Sequence, residues 1–332
     1  MNHTKRNIIV ALSLVGLALL QGVCPSYAAD NLQAARDFFK GKTISLYIPG
    51  SPGGGTDIPA RLIAPYLEKE LGATVLPENL NAAGGAICYT TTATSRPDGL
   101  TICLVTVPAF VSCYLTGQNR FHPLDSYDSL GQLLVNDTVI CVKGDSPYNT
   151  LEEAMEHARA NPEAMSWAGT GATSVKTLIG LTFRNFGVNF RLINWDGDNE
   201  CIVAVMGGHA DITGLTAATI GKYVEAGDLK PLAVVGDNRL EELPNVPATT
   251  ELGYKFPLIG TTHGLVVPTG MDADKLEVLR IAFKNILHDD GFQKAGKNAT
   301  LTLNYGEPEK FDAFTADTLT FLDELGVFKR GN

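Results

Sequence analysis

The hydrophobic pattern of this chain switches repeatedly between alternation at every second residue and a helical repeat. Thr43 to Ile48 (TISLYI) predicts a strand, and Ile58 to Leu71 predicts a helix. Thr56 stands at the N-cap of that helix, Pro59 lies in its first turn, and Gly72 is its stop. Thr74 to Pro77 is short and β-prone. A helix is expected to follow Gly85 and run to about Ser95. After the Pro97-Asp98-Gly99 turn, Leu100 to Val105 reads as a strand. Leu130 to Val135 and Val139 to Val142 read as two extended segments around Asn136-Asp137, with a helix over Leu151 to Ala160 next. Strands are expected at 165–168, 190–193, 211–213, 232–235 and 264–267. Helices are expected up to Phe186 and at 199–206, 217–226, 274–288 and 308–325. Phe311, Phe314, Phe321, Leu322 and Leu325 form one stripe on the last helix, read as core packing. Strands alternating with helices at this spacing predict an α/β fold with a mostly parallel, doubly wound sheet.

The first residues break the pattern. Lys5 and Arg6 precede an apolar run from Ile8 to Leu20, and Ser26-Tyr27-Ala28 offers small residues for cleavage after Ala28. Residues 1–28 therefore read as a secretory signal peptide, which predicts export and a periplasmic location. No later stretch has about 18 continuous apolar residues. The whole chain of 332 residues carries a net charge of -10. Removing Lys5 and Arg6 leaves 24 basic against 36 acidic side chains, so the mature charge is -12. Such an acidic surface argues against nucleic acid as a partner. Cys88, Cys103, Cys113, Cys141 and Cys201 remain after cleavage, an odd number without a C-x-x-C pair. They read as buried thiols, with one disulfide as the alternative. No metal site or cofactor is expected.

The chemistry that remains lies in glycine-rich loops between strands and helices. Gly53-Gly54-Gly55 follows a strand and opens a helix, where unpaired N–H groups and the helix dipole favour an anion such as a carboxylate. A single loop of this kind also reads as a plain tight turn. Gly169-Thr170-Gly171-Ala172-Thr173-Ser174 has the same placement, and Asn81 to Gly85 (NAAGG) is a third. Loops in separate halves suggest a ligand held in a cleft. Gly41-Lys42-Thr43 is not a Walker A loop, because it precedes its strand and Arg36 stands where a glycine is required. No G-x-S-x-G or H-E-x-x-H motif is present. His122, His157, His209, His263 and His288 are scattered and read as surface or capping residues.

These residues resemble the periplasmic solute-binding proteins of tripartite tricarboxylate transporters, the Bug family. IPGSPGGGTDIPARLIAPYL is similar to the family's first strand and loop, and ENLNAAGGAI to its E-N-x-x-G-A-G-G-x-I segment. RPDGLTI, GGHADI and RLEELPNVPATTELGY resemble further family motifs in the same order. The resemblance implies a two-domain periplasmic binding protein fold with a hinged, type II-like cleft. One domain would comprise residues 30–130 plus 258–332, and the other 131–257. It implies a monomer that captures a small organic carboxylate for membrane transporter subunits, without catalysis. A sensing protein for a membrane receptor, or a secreted enzyme on the same scaffold, are the alternatives. The implied ligand-binding set is Ser51, Pro52, Gly53, Gly54, Gly55, Thr56, Asp57, Gly84, Gly85 and Thr106 from one half. Thr170, Gly171, Ala172, Thr173, Ser174, Asp196, Gly197 and Asp198 would come from the other. The chain departs from the family pattern at Thr173, which replaces a glycine, and at Thr177, which replaces a histidine. Asn194-Trp195-Asp196-Gly197 replaces P-Y-K-G, and the acidic cluster of Asp196, Asp198 and Glu200 would disfavour a second anionic group on the ligand.

Overall fold

The computed structural model describes residues 25–117, 120–170, 174–195, 197–256, 260–299, 301–326 and 328. Most of the signal-peptide assignment, residues 1–24, lies outside the described residues. The chain runs α1 (Pro25–Phe39), β1 (Thr43–Ile48), α2 (Asp57–Leu71), β2 (Thr74–Asn79), α3 (Ala86–Ala93), β3 (Thr101–Val107), α4 (Ala109–Leu115) and β4 (Tyr127–Lys143). It continues α5 (Leu151–Ala160), β5 (Ser166–Gly169), α6 (Val175–Thr182), β6 (Arg191–Asn194), α7 (Asp198–Met206), β7 (Ile212–Thr216), α8 (Ala217–Glu225) and β8 (Leu229–Val234). The last elements are β9 (Gly260–Pro268), α9 (Ala273–Leu287), α10 (Asp290–Asn298), β10 (Leu303–Gly306) and α11 (Pro308–Glu324).

The strand order is β2-β1-β3-β9-β4-β7-β5-β6, with β10 and β8 also paired to β4. β1 pairs parallel with β2 and β3, and β5 pairs parallel with β6 and β7. The described ladders that involve β4 or β9 are antiparallel. This corrects the expectation of a mostly parallel sheet. β3 and β7 end where β9 begins and β4 changes partner, with Val107 opposite Thr262 and Thr216 opposite Thr138, and β1 and β5 run parallel to them. A strand that leaves the junction must oppose the strands that arrive at it. Asn136 and Asp137 are also not a break. They pair with Thr261 and Gly260 inside the single strand β4, which changes partners from β9 to β7 between Asp137 and Thr138. The buried bulk on both sides keeps this long strand extended: Leu133 and Leu134 precede the change, and Val139 and Ile140 follow it.

Four apolar clusters fill the layers. One packs α1, α2 and α9 on β1, β3 and β9, around Phe39, Leu46, Leu104, Leu265 and Phe283. Two others pack the faces of the β5-β6-β7 region, around Trp167, Phe183 and Ile212 and around Cys141, Ile202 and Leu215. The fourth joins Tyr89, Phe110 and Phe311 to Leu178 and Leu181 of α6. The stripe on α11 is core, as its pattern predicts: Phe311 and Leu322 are buried, and Phe314, Phe321 and Leu325 pack beside them. The five cysteines are free thiols; Cys88 and Cys103 are neighbours with sulfurs 3.5 Å apart, well beyond disulfide length. No described helix is long and apolar enough to cross a membrane.

Candidate functional site

The loop after β1 is built around one carboxylate. Asp57, the first residue of α2, is buried and accepts the Gly53 N–H at 2.8 Å, the Arg61 Nε at 2.8 Å and the Asn79 Nδ2 at 2.9 Å. Burial acts to raise the Asp57 carboxyl, but the bonds from Arg61, Gly53 and Asn79 outweigh it and hold the group below its ordinary value. Arg61 also donates to Asn79 Oδ1 at 2.8 Å, and Asn79 donates to the Gly50 carbonyl at 2.8 Å. Asp57 and Arg61 stand four apart on one helix face, a spacing legible in the sequence. Their joint role with Asn79 was not legible, because it depends on β2 ending beside the loop.

Within this loop the N–H groups divide into two sets. Gly53 donates to Asp57, and Gly54 donates to the Ser51 carbonyl at 3.0 Å. Gly55 and Thr56 have no intramolecular acceptor for their N–H groups among the described residues. Those two groups lead directly into the N-terminus of α2, where the dipole also favours an anion. The glycines differ in the same way. Gly53 has a positive φ of 75°, Gly54 faces the Ser51 carbonyl, and Gly55 has neither constraint. A Cβ on Gly55 would meet nothing within 4 Å. Thr56 occupies the N-cap position but makes no capping bond; its hydroxyl lies against Gly50 instead.

The second loop lies alongside. Asn81 Nδ2 donates to the Ser51 hydroxyl at 2.8 Å, and the Cys113 thiol donates to the Gly84 carbonyl at 3.2 Å. Gly84 and Gly85 both have positive φ, 65° and 97°. Thr106, near the end of β3, pairs in register with His263 of β9. The Thr106 hydroxyl and His263 Nδ1 are both buried without a hydrogen-bond partner. His263 contradicts its assignment as a surface or capping residue: it is 2% exposed, and burial lowers its pKa to about 4. A histidine immediately before the apolar strand run at 264–267 was the available signal. The other expectations hold for His122, which accepts the Asp125 N–H, and for His288, whose Nδ1 lies 2.7 Å from the Lys284 carbonyl.

In the other half, Gly169 and Asn194 are register partners at the ends of β5 and β6, and the Trp195 N–H donates to the Gly169 carbonyl at 2.8 Å. The loops leaving both strands therefore start side by side. Ser174 caps α6 by accepting the Thr177 N–H at 3.2 Å, and it also accepts weakly from Thr170 N at 3.4 Å. Thr177, where the family pattern has histidine, is buried and donates to Asn194 Oδ1 at 3.2 Å. Gly171, Ala172, Thr173 and Asp196 lie outside the described residues. Gly197 precedes α7, which opens at Asp198. Asp198 is paired at 2.8 Å with Lys176, a residue outside the implied ligand-binding set. A lysine in the first turn of a helix opposes the dipole, which was the signal in the sequence.

Two recurring motifs outside the loops have a structural basis. Arg239 grips both oxygens of Glu251 at 2.8 and 2.6 Å and donates to the Pro244 carbonyl at 3.1 Å. Asp211 accepts both the N–H and the hydroxyl of Ser166 at 2.7 and 2.6 Å, tying the start of β7 to β5. Two cavities lie beside these elements, one along α7 and one where β4 changes partner. One of 310 Å³ borders Trp195, Asn199 and Glu200; the other, of 560 Å³, borders Asn136, Asp137 and Thr216. Among the described residues no group of three or more His, Cys, Asp or Glu could hold a metal ion.

Residues 59–325 match the model of the tripartite tricarboxylate transporter family receptor. A UPF0065 protein from the gbd 5′ region of Cupriavidus necator is 30% identical over 311 residues, covering 91% of this chain and 93% of that protein. A TctC solute binding protein from Polaromonas, solved without ligand, is 26% identical with a TM-score of 0.77, covering 86% of this chain and 97% of that one. The periplasmic binding protein BugD is also 26% identical, with a TM-score of 0.65 over 87% of this chain and 99% of that one. Two Rhodopseudomonas palustris structures share the fold. MatC with bound malate has 19% identity and a TM-score of 0.67, covering 86% of this chain and 98% of that one. A protein with adipate has 20% identity and a TM-score of 0.69, covering 86% and 96%. The fold is thus the two-domain periplasmic binding protein fold, and this chain belongs to the tripartite tricarboxylate transporter receptor family.

Proposed function

We propose that this protein is a periplasmic receptor that captures a small organic carboxylate and delivers it to a tripartite tricarboxylate transporter in the membrane. The observation that carries the proposal is the pair of unengaged N–H groups on Gly55 and Thr56 at the start of α2. They sit on a loop held rigid from behind by Asp57, Arg61 and Asn79. Preorganised backbone donors at a helix N-terminus bind an anion without supplying a base or nucleophile. This reading makes the protein a binding protein and not an enzyme, in keeping with its family. The malate and adipate carried by its structural relatives fit the same ligand class.

In this reading Asp57 positions the loop, while Ser51, Gly55 and Thr56 face the ligand. Gly84, Gly85 and Thr106 border the same side, and the segments 170–174 and 196–198 close from the other. Residues 30–130 and 258–332 form one lobe and 131–257 the second, with β4 and β9 as the hinge. The partner change at Asp137 and Thr138, with the cluster around Leu46 confined to one side of it and the cluster around Trp167 to the other, supports a division just beyond residue 131, while the cluster around Phe110 bridges the lobes through Leu178 and Leu181. Residues 1–28 direct export and are removed. Mass spectrometry of small molecules released from gently purified protein tests the proposal. An organic acid that rebinds in calorimetry is the expected result. A protein that releases none and binds no carboxylate would refute it.

A further inference from the structure

Lys176 and Asp198 stand at the starts of two neighbouring helices. Lys176 is the second residue of α6 and Asp198 the first of α7. The Lys176 Nζ lies 2.8 Å from Asp198 Oδ1; the lysine side chain is 12% exposed and the aspartate 39%. A lysine in the first turn faces the positive end of its own helix, and at this depth it has lost most of its water. Its place therefore requires an anion. The positive end of α7 favours an anion at the same point. Asp198 supplies it.

The surroundings connect this pair to the loops described above. Cys201, one turn into α7, is buried, and its thiol touches the Gly169 carbonyl at 3.4 Å. Asp198 and Glu200 share the start of α7 with Cys201, and Lys176 pairs with Asp198, so the three charges are grouped near the end of β5. Glu200 folds back over Gly197, where a Cβ would meet its Oε2 at 2.7 Å. Lys176 is the cation of this group. β1 runs parallel to β3 and β5 to β7, and β3 and β7 both end at the junction of the two halves, so a ligand whose first carboxylate is held by the β1–α2 loop has its far end directed at the loops after β5 and β6, where Lys176 and Asp198 pair.

We propose that Asp198 occupies, from within the chain, the position at Lys176 that a second ligand carboxylate would take, so that the site selects monocarboxylates with a neutral or cationic far end over dicarboxylates. This inference rests on the reading of the protein as a carboxylate receptor. It changes the role of the acidic cluster: Asp198 discriminates by holding Lys176, not only by repelling anions. Freeing the lysine should reverse the preference. Removing the lysine should leave Asp198 to attract an amine.

The test is calorimetry on straight-chain acids from propionate to octanoate, each compared with the diacid and the ω-amino acid of equal length. Wild type, Asp198→Asn, Lys176→Met and the double variant are measured, and thermal melting establishes that each is folded. Asp198→Asn should shift the diacid-to-monoacid affinity ratio towards the diacid by about tenfold, the worth of one charge-assisted hydrogen bond. Lys176→Met should shift the preference towards the amino acid, and the double variant should lose both shifts. Carboxylate binding with the same ratio in wild type and folded Asp198→Asn would overturn this inference and leave the receptor reading intact. Wild type that binds none of the series and releases no carboxylate would overturn both.

Discussion

Asn79 Nδ2 donates to Asp57 Oδ1 at 2.9 Å, and this contact ties the end of β2 to the first turn of α2. The same amide holds the Gly50 carbonyl at 2.8 Å, so one side chain fixes both ends of the glycine loop. Asp57→Asn should therefore destabilise the fold by about 2–3 kcal/mol at neutral pH, because it removes the buried charge on which Gly53, Arg61 and Asn79 converge and leaves fewer acceptors for their donors. Urea denaturation measures this. The pH dependence follows from the carboxyl being held below its usual 3.8. The unfolded state takes up the proton first as pH falls, so the contribution is present above that value and is lost below it. The variant should lack this acid-side loss, whereas parallel pH curves would contradict the assignment.

Gly85 tests the second loop as scaffold. Its φ is 97°, and an added Cβ would meet the Tyr89 ring at 2.9 Å and Pro49 at 3.0 Å. Gly85→Ala should cost about 1–3 kcal/mol from backbone strain and the forced displacement of a buried ring. An unchanged melting temperature would show that the loop relaxes freely.

His263 makes stability depend on acid. The folded ring protonates near pH 4, against an ordinary value of 6.5. Between those values the unfolded state binds more protons, so stability falls as pH drops from 6.5 towards 4. The full effect is about 3 kcal/mol. His263→Leu should remove this share of the slope. Unfolding free energies of wild type and variant that fall in parallel over this range would contradict it.

Most helices and strands were legible because amphipathic stripes such as the one on α11 carry their own signal. Gly72 marks a helix end in sequence and adopts φ 64° in the fold. Partner choice was not legible: Asn136-Asp137 looks like a turn, and only the strands on either side keep it extended. α4 is too short for a clear period, α10 carries one large apolar residue, Phe292, in its sequence DGFQKAGKN, and α1 begins inside the segment that reads as a leader. For the site, the glycine loops were legible as anion cradles, but the division of labour within them was not. That Gly53 serves the loop while Gly55 stays open depends on where Asp57 points. Lys176 could be paired with Asp198 only once β5 and β6 were placed side by side.

If the Gly55 and Thr56 N–H groups grip a carboxylate, bulk at Gly55 must weaken binding without unfolding the protein. Gly54→Val is a less clean test, because its side chain would crowd the Ser51 carbonyl at 3.0 Å and disturb the turn itself. Gly55→Val adds bulk where the protein has no atom within 4 Å. The decisive measurement is calorimetry of wild type and Gly55→Val with the carboxylate released from the purified protein, alongside their melting temperatures without ligand. Equal melting temperatures and an affinity at least about tenfold weaker are expected of the variant, from the loss of one charge-assisted hydrogen bond. Unchanged affinity in a folded Gly55→Val protein would contradict this grip.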